Sequence, residues 1–210
     1  MIALARHGGA ADKASALASL NSLKWESLTD GERIDLLRAY GLTGIRLGKI
    51  TGEEAQPILK QIGGRFPTGE HRVDRELSQM LVYLGVDEAI GEIVAEMKNS
   101  PSQENQIHYA MALRGATEGW TDELNQNYFA WFNEIQSARG GMSFGGFIEN
   151  IKKAAVERLS GQDKQGLVFQ RGTAPGAGAL NGVIARSVLY KSSDADELCW
   201  VEVSVVDGSY

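Results

Sequence analysis

Apolar side chains recur at the spacing of an amphipathic helix in six segments of the chain. Because residues three and four apart share one face of a helix, each stripe predicts a helix packed on a neighbour. The predicted helices span residues 32–47, 74–84, 88–97, 103–114, 122–136 and 145–159. Their stripes are Ile34, Leu37, Gly41, Leu42 and Ile45; Leu77, Met80, Leu81 and Leu84; Ile90, Ile93, Val94 and Met97; Ile107, Ala110, Met111 and Arg114; Leu124, Tyr128, Trp131, Phe132 and Ile135; and Ile148, Ile151, Ala155 and Leu159. Weaker patterns predict two further helices over 11–23 and 53–62.

Polar residues at the expected starts support these helices. Thr29–Glu32, Thr51–Glu54 and Ser100–Gln103 fit the capping box, in which a hydroxyl and a carboxylate or amide satisfy two free backbone N–H groups. Thr121, followed by acidic residues, predicts another N-cap.

The connections between the helices are short, so consecutive helices are expected to be antiparallel neighbours. Helix pairs begin near residues 30, 72 and 103, and this spacing is of the order of the ~40 residues of a HEAT-type repeat. The sequence therefore predicts an all-α fold over residues 1–160, with antiparallel helix pairs stacked as a HEAT-like α-solenoid. A compact helical bundle is the alternative, since it has the same periodicity.

The composition changes after Ser160. Residues 161–182 are rich in glycine and alanine and are predicted to be a linker. Residues 183–190 and 198–206 read as strands, so residues 183–210 are predicted to be a β-hairpin-like or poorly ordered tail. A lone hairpin is marginally stable, and this one would need to pack on the helices or pair with another chain.

Charge and cysteine content narrow the functional classes. A net charge of -6 without a run of lysine or arginine argues against nucleic acid as a partner. The single cysteine, Cys199, excludes an internal disulfide, a CxxC zinc site and the CxxCH haem motif, so no cofactor is expected in this chain. No apolar run approaches the roughly 20 residues of a membrane span. Residues 1–9 are too short for a signal peptide and read like the end of a helix, as if a longer architecture began upstream.

Residues 24–160 resemble the HEAT-like helical region of large secreted bacterial haem-binding proteins. Those proteins join a sugar-dehydrogenase-like β-propeller, a helical array and a c-type cytochrome domain. The residues that carry the resemblance are Asp35–Tyr40, Ile45–Lys49, Arg75–Leu77, Leu81–Leu84, Gln106–Arg114, Gly119–Thr121, Trp131–Asn133 and Arg139–Phe147.

The resemblance implies a helical segment alone. In that family a cytochrome domain with CxxCH follows the helices, whereas residues 161–210 contain one cysteine and no such motif. No propeller precedes the helices either. Haem binding is therefore carried over to no residue of this chain. The resemblance also suggests a periplasmic or secreted compartment, although no signal peptide is present.

The glycine-rich run from Arg139 to Phe147 is the most unusual local sequence. Backbone N–H groups of such a loop at a helix start can bind an anion. The residues of this candidate anion loop are Arg139, Gly140, Gly141 and Ser143. In the alternative interpretation the run is a tight turn, in which Phe144 and Phe147 anchor the loop to the core and glycines supply positive φ angles.

An aromatic cluster offers a candidate partner surface. Tyr128, Trp131 and Phe132 have the spacing of a core stripe. Phe129 lies off that stripe, and with Trp120 it is expected to project toward a partner, because exposed aromatic residues dominate many binding interfaces.

Other chemical motifs are weak. His7, His71 and His108 lie too far apart for a two-histidine metal motif on one helix, and His108 is expected to be a partly buried, hydrogen-bonded residue. Gly176–Gly182 nearly matches GxGxxG, but a strand rather than a helix follows it, which argues against a dinucleotide site. Acidic pairs at helix starts suit the helix dipole better than acid–base catalysis.

These observations predict a non-catalytic scaffold or protein-interaction module whose partner is another protein or a neighbouring domain of a longer chain. The alternative is the helical segment of a haem-containing c-type cytochrome dehydrogenase, with the haem motif outside this chain. A third hypothesis is an enzyme that uses the candidate anion loop.

Overall fold

The computed structural model describes residues 9–135, 138, 140–141, 143–157 and 159, and the backbone of three later strands. This part of the chain contains eight α-helices, each overlapping one of the eight predicted from the sequence. They are α1 (Lys13–Asn21), α2 (Asp30–Arg46), α3 (Ala55–Ile62), α4 (His71–Leu84), α5 (Asp87–Asn99), α6 (Gln103–Leu113), α7 (Asp122–Glu134) and α8 (Phe144–Glu157). The predicted helical fold is confirmed.

The helices pack in two rows. In the even row, α2 contacts α4, α4 contacts α6 and α6 contacts α8. In the odd row, α5 contacts α7, and short connections join α4 to α5 and α5 to α6. Packing of alternate helices on one another is the arrangement expected of stacked helical repeats, because each pair buries its remaining apolar face on the next.

Side-chain contacts fix the direction of the helices. In the middle of α2, Arg38 is paired with Glu76 of α4. One turn and a half later, a Cβ on Gly44 would lie 2.5 Å from the hydroxyl of Tyr83. The contacting residues are 38 positions apart in sequence at the first contact and 39 at the second. Since a later residue of α2 meets a later residue of α4, the two helices run parallel.

Neighbouring helices of opposite rows run the other way. The hydroxyl of Tyr128 donates to the carbonyl oxygen of Ala110 at 2.8 Å. The indole N–H of Trp131 donates to the side-chain oxygen of Gln106 at 3.0 Å. A later residue of α7 thus meets an earlier residue of α6, which makes this pair antiparallel, as predicted.

The predicted apolar stripes of the odd row and of α8 are buried. In α5 and α8 they form the core that joins the rows, and in α7 only Leu124 is partly exposed. The stripe residues that the structure buries are Ile90, Ile93, Val94, Met97, Tyr128, Trp131, Phe132, Ile135, Ile148, Ile151, Ala155 and Leu159.

Two predicted stripes in the even row are partly wrong. Ile45 of α2 is 79% exposed, because Thr43 and Gly44 occupy the buried side at that turn. Met111 of α6 is exposed as well, since Tyr109 lies on the buried side instead. In both helices a small, polar or aromatic residue occupies a core position. The spacing of aliphatic residues does not predict such positions.

The capping predictions succeed at two starts. At α2 the hydroxyl of Thr29 accepts from the backbone N–H of Glu32, whose carboxylate accepts from the N–H of Thr29 at 2.8 Å. At α7 the hydroxyl of Thr121 accepts from the N–H of Leu124 at 3.2 Å.

The other two predicted boxes are wrong. Thr51 makes no side-chain cap bond, because Gly52 follows it at a φ of 55° and the chain enters a short 3-10 turn before α3. Ser100 ends α5 instead of starting α6, and Ser102 caps α6 by accepting from the N–H of Asn105. The start of α3 thus lies after Gly52, and the start of α6 lies after Pro101.

Three strands lie in the C-terminal part: β1 (Val168–Gln170), β2 (Val183–Lys191) and β3 (Leu198–Val206). They form an antiparallel sheet in the order β1–β2–β3. The ranges of β2 and β3 coincide with the two runs read as strands from the sequence, whereas β1 falls inside the predicted linker. The Gly176–Gly182 run lies outside the described residues.

Candidate functional site

A groove runs along the surface of the even row between the parallel helices α2 and α4. Its volume is about 400 Å³, within the range of ~300–1,000 Å³ typical of binding pockets. It is lined by Leu37, Arg38, Gly41, Leu42, Ile45, Glu76, Gln79, Met80 and Tyr83. Apolar side chains thus make up most of a surface that faces solvent.

Two glycines in α2 shape this groove. Gly44 lets α2 approach α4 closely, since a Cβ there would meet the Tyr83 hydroxyl at 2.5 Å. At Gly41, a Cβ would have only the terminal methyl of Met80 within reach, at 3.9 Å. The helices therefore touch at one end of the groove and leave a depression one turn earlier.

Polar contacts hold both ends of the groove. At one end, Arg38 donates through Nε and Nη2 to the same carboxylate oxygen of Glu76, at 2.9 and 2.7 Å. At the other, the backbone N–H of Ile50 donates to the Tyr83 hydroxyl at 2.9 Å. These contacts within the chain tie the walls of the groove together, so the groove is preformed.

Exposed apolar residues concentrate on the same row. Among the described residues, the large apolar side chains that are exposed are Leu23 at 41%, Ile45 at 79%, Met111 at 40% and Phe147 at 43%. Ile45, Met111 and Phe147 belong to α2, α6 and α8, all helices of the even row. Ile45 is the most exposed of the four and lines the groove, which makes it the principal candidate contact residue.

His108 lies beside the groove and is held in place. Its Nε2 donates to the carbonyl oxygen of Arg75 at 2.9 Å and lies 2.8 Å from the side-chain nitrogen of Gln79, a groove residue. Burial lowers the pKa of His108. The prediction of a partly buried, hydrogen-bonded histidine is confirmed.

His71 is exposed at the start of α4, and His7 lies outside the described residues. Within the described residues, no three histidine, cysteine, aspartate or glutamate side chains are grouped so that they could hold a metal ion.

The expectation that Phe129 projects toward a partner is wrong, whereas a partner surface at Trp120 stays a prediction. Phe129 is 2% exposed and packs edge-on against Tyr128, with ring centroids 5.2 Å apart. Trp120 is half-buried and donates its indole N–H to the carbonyl oxygen of Ala116 at 2.9 Å. Because α7 contacts both α5 and α8, it buries a wider face than a single stripe, and Phe129 falls within that face.

The candidate anion loop is described only in part. Arg139 lies outside the described residues, so the anion site stays a prediction. A Cβ on Gly140 would clash with the side chain of Phe144, which packs against the core. This contact agrees with the alternative interpretation as a tight turn.

The rest of that interpretation needs correction. Phe147 is exposed and does not anchor the loop. Gly145 and Gly146 lie in the first turn of α8, where a helical conformation replaces the expected positive φ. Gly141 and Ser143 precede the helix, and a Cβ on Gly141 would meet no other atom within 4 Å.

No helix within the described part of the chain has both the length and the apolar character needed to cross a bilayer. Comparison of the chain with family models, with curated proteins and with solved structures gave no match.

Proposed function

We propose that this chain is a non-catalytic helical-repeat module of the HEAT kind that binds another protein through the groove between α2 and α4. The observation that supports this proposal most is the exposure of Ile45. An isoleucine that is 79% exposed at the edge of a preformed apolar groove gains about 1.5–3 kcal/mol when a partner covers it fully. Among the large apolar side chains that the structure describes, that of Ile45 is the most exposed.

The surroundings of Ile45 suit protein binding. The Arg38–Glu76 pair and the Tyr83 hydroxyl keep the walls of the groove in place. A partner therefore loses little free energy in ordering the surface that it binds. Apolar side chains in the centre with charged groups at the edge are the arrangement found in protein interfaces.

The partner is either a separate protein or a neighbouring domain of a longer chain. The second case includes the propeller and cytochrome domains that the resemblance implies. Because no comparison identifies such a family, the role in electron transfer stays a prediction from the sequence alone.

Site-specific cross-linking tests the proposal. A photoreactive amino acid is placed at Ile45 in the full chain, in cells that express it, and a matched one is placed at Leu23, which is exposed but outside the groove. We expect a discrete adduct from position 45 and none from position 23, and mass spectrometry then identifies the partner. No adduct at 45, or the same adducts at both positions, would contradict the proposal.

A further inference from the structure

We infer that the outer edge of β3 binds an extended segment of another protein that carries a lysine or arginine opposite Glu202. This second binding site lies in the C-terminal sheet and goes beyond the function proposed for the groove between α2 and α4. Either site can therefore exist without the other.

β3 is an edge strand nine residues long. The strands lie in the order β1–β2–β3, and β2 pairs with β3 along its whole length, from Val183 with Val206 to Lys191 with Leu198. The three-residue strand β1 pairs with the other side of β2 and contacts α7. Within the described part of the chain, no strand pairs with the outer side of β3. Every second residue there therefore offers its backbone groups to a further strand.

An edge of this kind selects a strand as its occupant. The N–H and C=O groups along it bond to an extended segment, whereas a helix bonds its backbone groups within itself. Proline and glycine, which interrupt strands, do not occur in β3, and Glu202 is its only charged residue. A partner strand can thus pair with β3 without a break.

Glu202 has no opposite charge at the neighbouring positions of the sheet. Its register partner on β2 is Ser187. The diagonal neighbours on the same face are Ala185 and Leu189, two residues to either side of Ser187. Since none of these three residues is charged, a basic residue on an added strand is the first partner of opposite charge for Glu202.

The basic residues of β2 lie elsewhere. Arg186 is next to Ser187 in sequence, so it lies on the other face of the sheet from Glu202. Lys191 is in register with Leu198, four residue steps and therefore about 13 Å from Glu202 along the strand. Neither β2 nor the uncharged strand β1 thus supplies the missing charge.

The position of Glu202 disfavours a second copy of this chain as the partner. Glu202 is the fifth of the nine residues of β3. Antiparallel pairing of two β3 strands over their full length therefore sets Glu202 of one copy opposite Glu202 of the other. Like charges directly opposite each other destabilise a strand pair, and charged residues on edge strands oppose self-pairing. A register shifted by two residues separates the charges but leaves two residues of each strand unpaired.

The alternation of faces along β3 sets the sequence of the partner. Val201 and Val203 flank Glu202 and share the opposite face of the sheet. β-branched residues suit the positions opposite them, because such residues pack well on a pleated surface. The expected partner is an extended segment in which a lysine or arginine stands between two β-branched residues.

Synthetic peptides test this inference on the full chain. The parent peptide has about nine residues, with lysine at the centre and valine alternating with threonine on both sides. Matched peptides carry glutamine or glutamate at the centre. Two further versions of the parent carry N-methyl groups on every second residue, one version for each edge of the peptide. Fluorescence anisotropy measures their affinities for the natural chain and for Glu202→Lys.

We expect the natural chain to bind the lysine peptide about threefold or more tightly than the glutamate peptide, with the glutamine peptide between them. Glu202→Lys should reverse this order. One N-methylated version should bind as the parent does and the other about tenfold or more weakly, because a strand pairs with an edge through one side only.

Three outcomes would overturn the inference. The first is the absence of peptide binding, or equal affinities for all three central residues. The second is equal binding of the two N-methylated versions, which would show that the peptide does not add as a strand. The third is dimerisation of the chain that displaces the peptide, which would make a second copy the occupant. None of these results bears on the groove, because cross-linking at Ile45 tests the proposed function alone.

Discussion

The hydroxyl of Tyr83 occupies the space beside Gly44 where any other residue would place its Cβ. The two atoms would be 2.5 Å apart, and the same hydroxyl accepts a hydrogen bond from the backbone N–H of Ile50. This contact ties α2 and α4 together at the closed end of the groove.

Substitution at Gly44 should destabilise the fold, whereas the same substitution at Gly41 should not. Gly44→Ala must displace the Tyr83 hydroxyl from Ile50, which we expect to cost about 1–3 kcal/mol. Gly41→Ala meets only a methyl at 3.9 Å and should add about 0.5–1 kcal/mol through helix propensity. Urea unfolding of both variants measures the difference. Equal midpoints would show that α2 and α4 do not meet at Gly44.

Gly119 should tolerate no side chain. Its φ is 78°, and a Cβ would lie 2.6 Å from the carbonyl oxygen of Asp87 in α5. Gly119→Ala is expected to cost roughly 2–4 kcal/mol, because backbone cannot move aside as a flexible side chain can. The control is Gly115→Ala in the same loop, where a Cβ would meet no other atom within 4 Å. Thermal unfolding should separate the two, and a similar loss in both would refute the close approach.

The cap of α2 should contribute to stability, whereas the threonine before α3 should not. Thr29→Ala removes the hydroxyl that accepts from Glu32 and should cost about 1 kcal/mol. Thr51→Ala removes a hydroxyl without a cap bond and should change the free energy of unfolding little. Chemical denaturation of the two variants checks this contrast. A larger loss at Thr51 would contradict the observed caps.

His108 should make stability depend on pH. Burial holds its pKa below the ordinary value of 6.5, so the unfolded chain takes up a proton at a higher pH than the folded chain does. The contribution of His108 to the free energy of unfolding is therefore complete above pH 6.5. It is lost as the pH falls through that value toward the lowered pKa.

The control for this prediction is His108→Gln, whose amide N–H can still donate to the carbonyl of Arg75. We expect the natural chain to lose more stability than this variant between about pH 7.5 and about pH 5.5. Urea unfolding at the two pH values provides the measurement. Parallel losses in both proteins would mean that His108 titrates alike in the folded and unfolded chains.

The helices were predictable from the sequence because their signals are local. The stripe that includes Ile93 and Met97 has the period of a helix, and Thr29 with Glu32 marks a start within four residues. Such patterns need no knowledge of what packs on the helix. The stripes predicted for α5 and α7 are therefore buried in the structure, apart from the partly exposed Leu124.

The groove was not predictable in the same way. Gly41 and Ile45 fit the apolar stripe of α2, so the pattern predicts both in the core. In the structure Thr43 and Gly44 face the interior at that turn, because small side chains let α4 approach. Which of two adjacent faces is buried depends on the neighbouring helix. Gly44 is the local signal of a close approach there.

The exposure expected of Phe129 was wrong for a related reason. Phe129 lies off the main stripe of α7. A residue at that position is exposed only if a single neighbouring helix covers α7. Since α5 and α8 both contact α7, the buried face widens to include Phe129. The number of neighbours of a helix is a property of the whole fold.

The central claim is that Ile45 and the groove around it form the binding surface of this chain. Titration calorimetry between the full chain and the partner captured by cross-linking tests it most directly, with Ile45→Asp beside the control Leu23→Asp. The account predicts an affinity about tenfold or more weaker for Ile45→Asp, at least about 1.4 kcal/mol, and an unchanged affinity for Leu23→Asp. Helical circular dichroism should be the same for all three proteins. Equal affinities for the natural chain and Ile45→Asp would contradict the account.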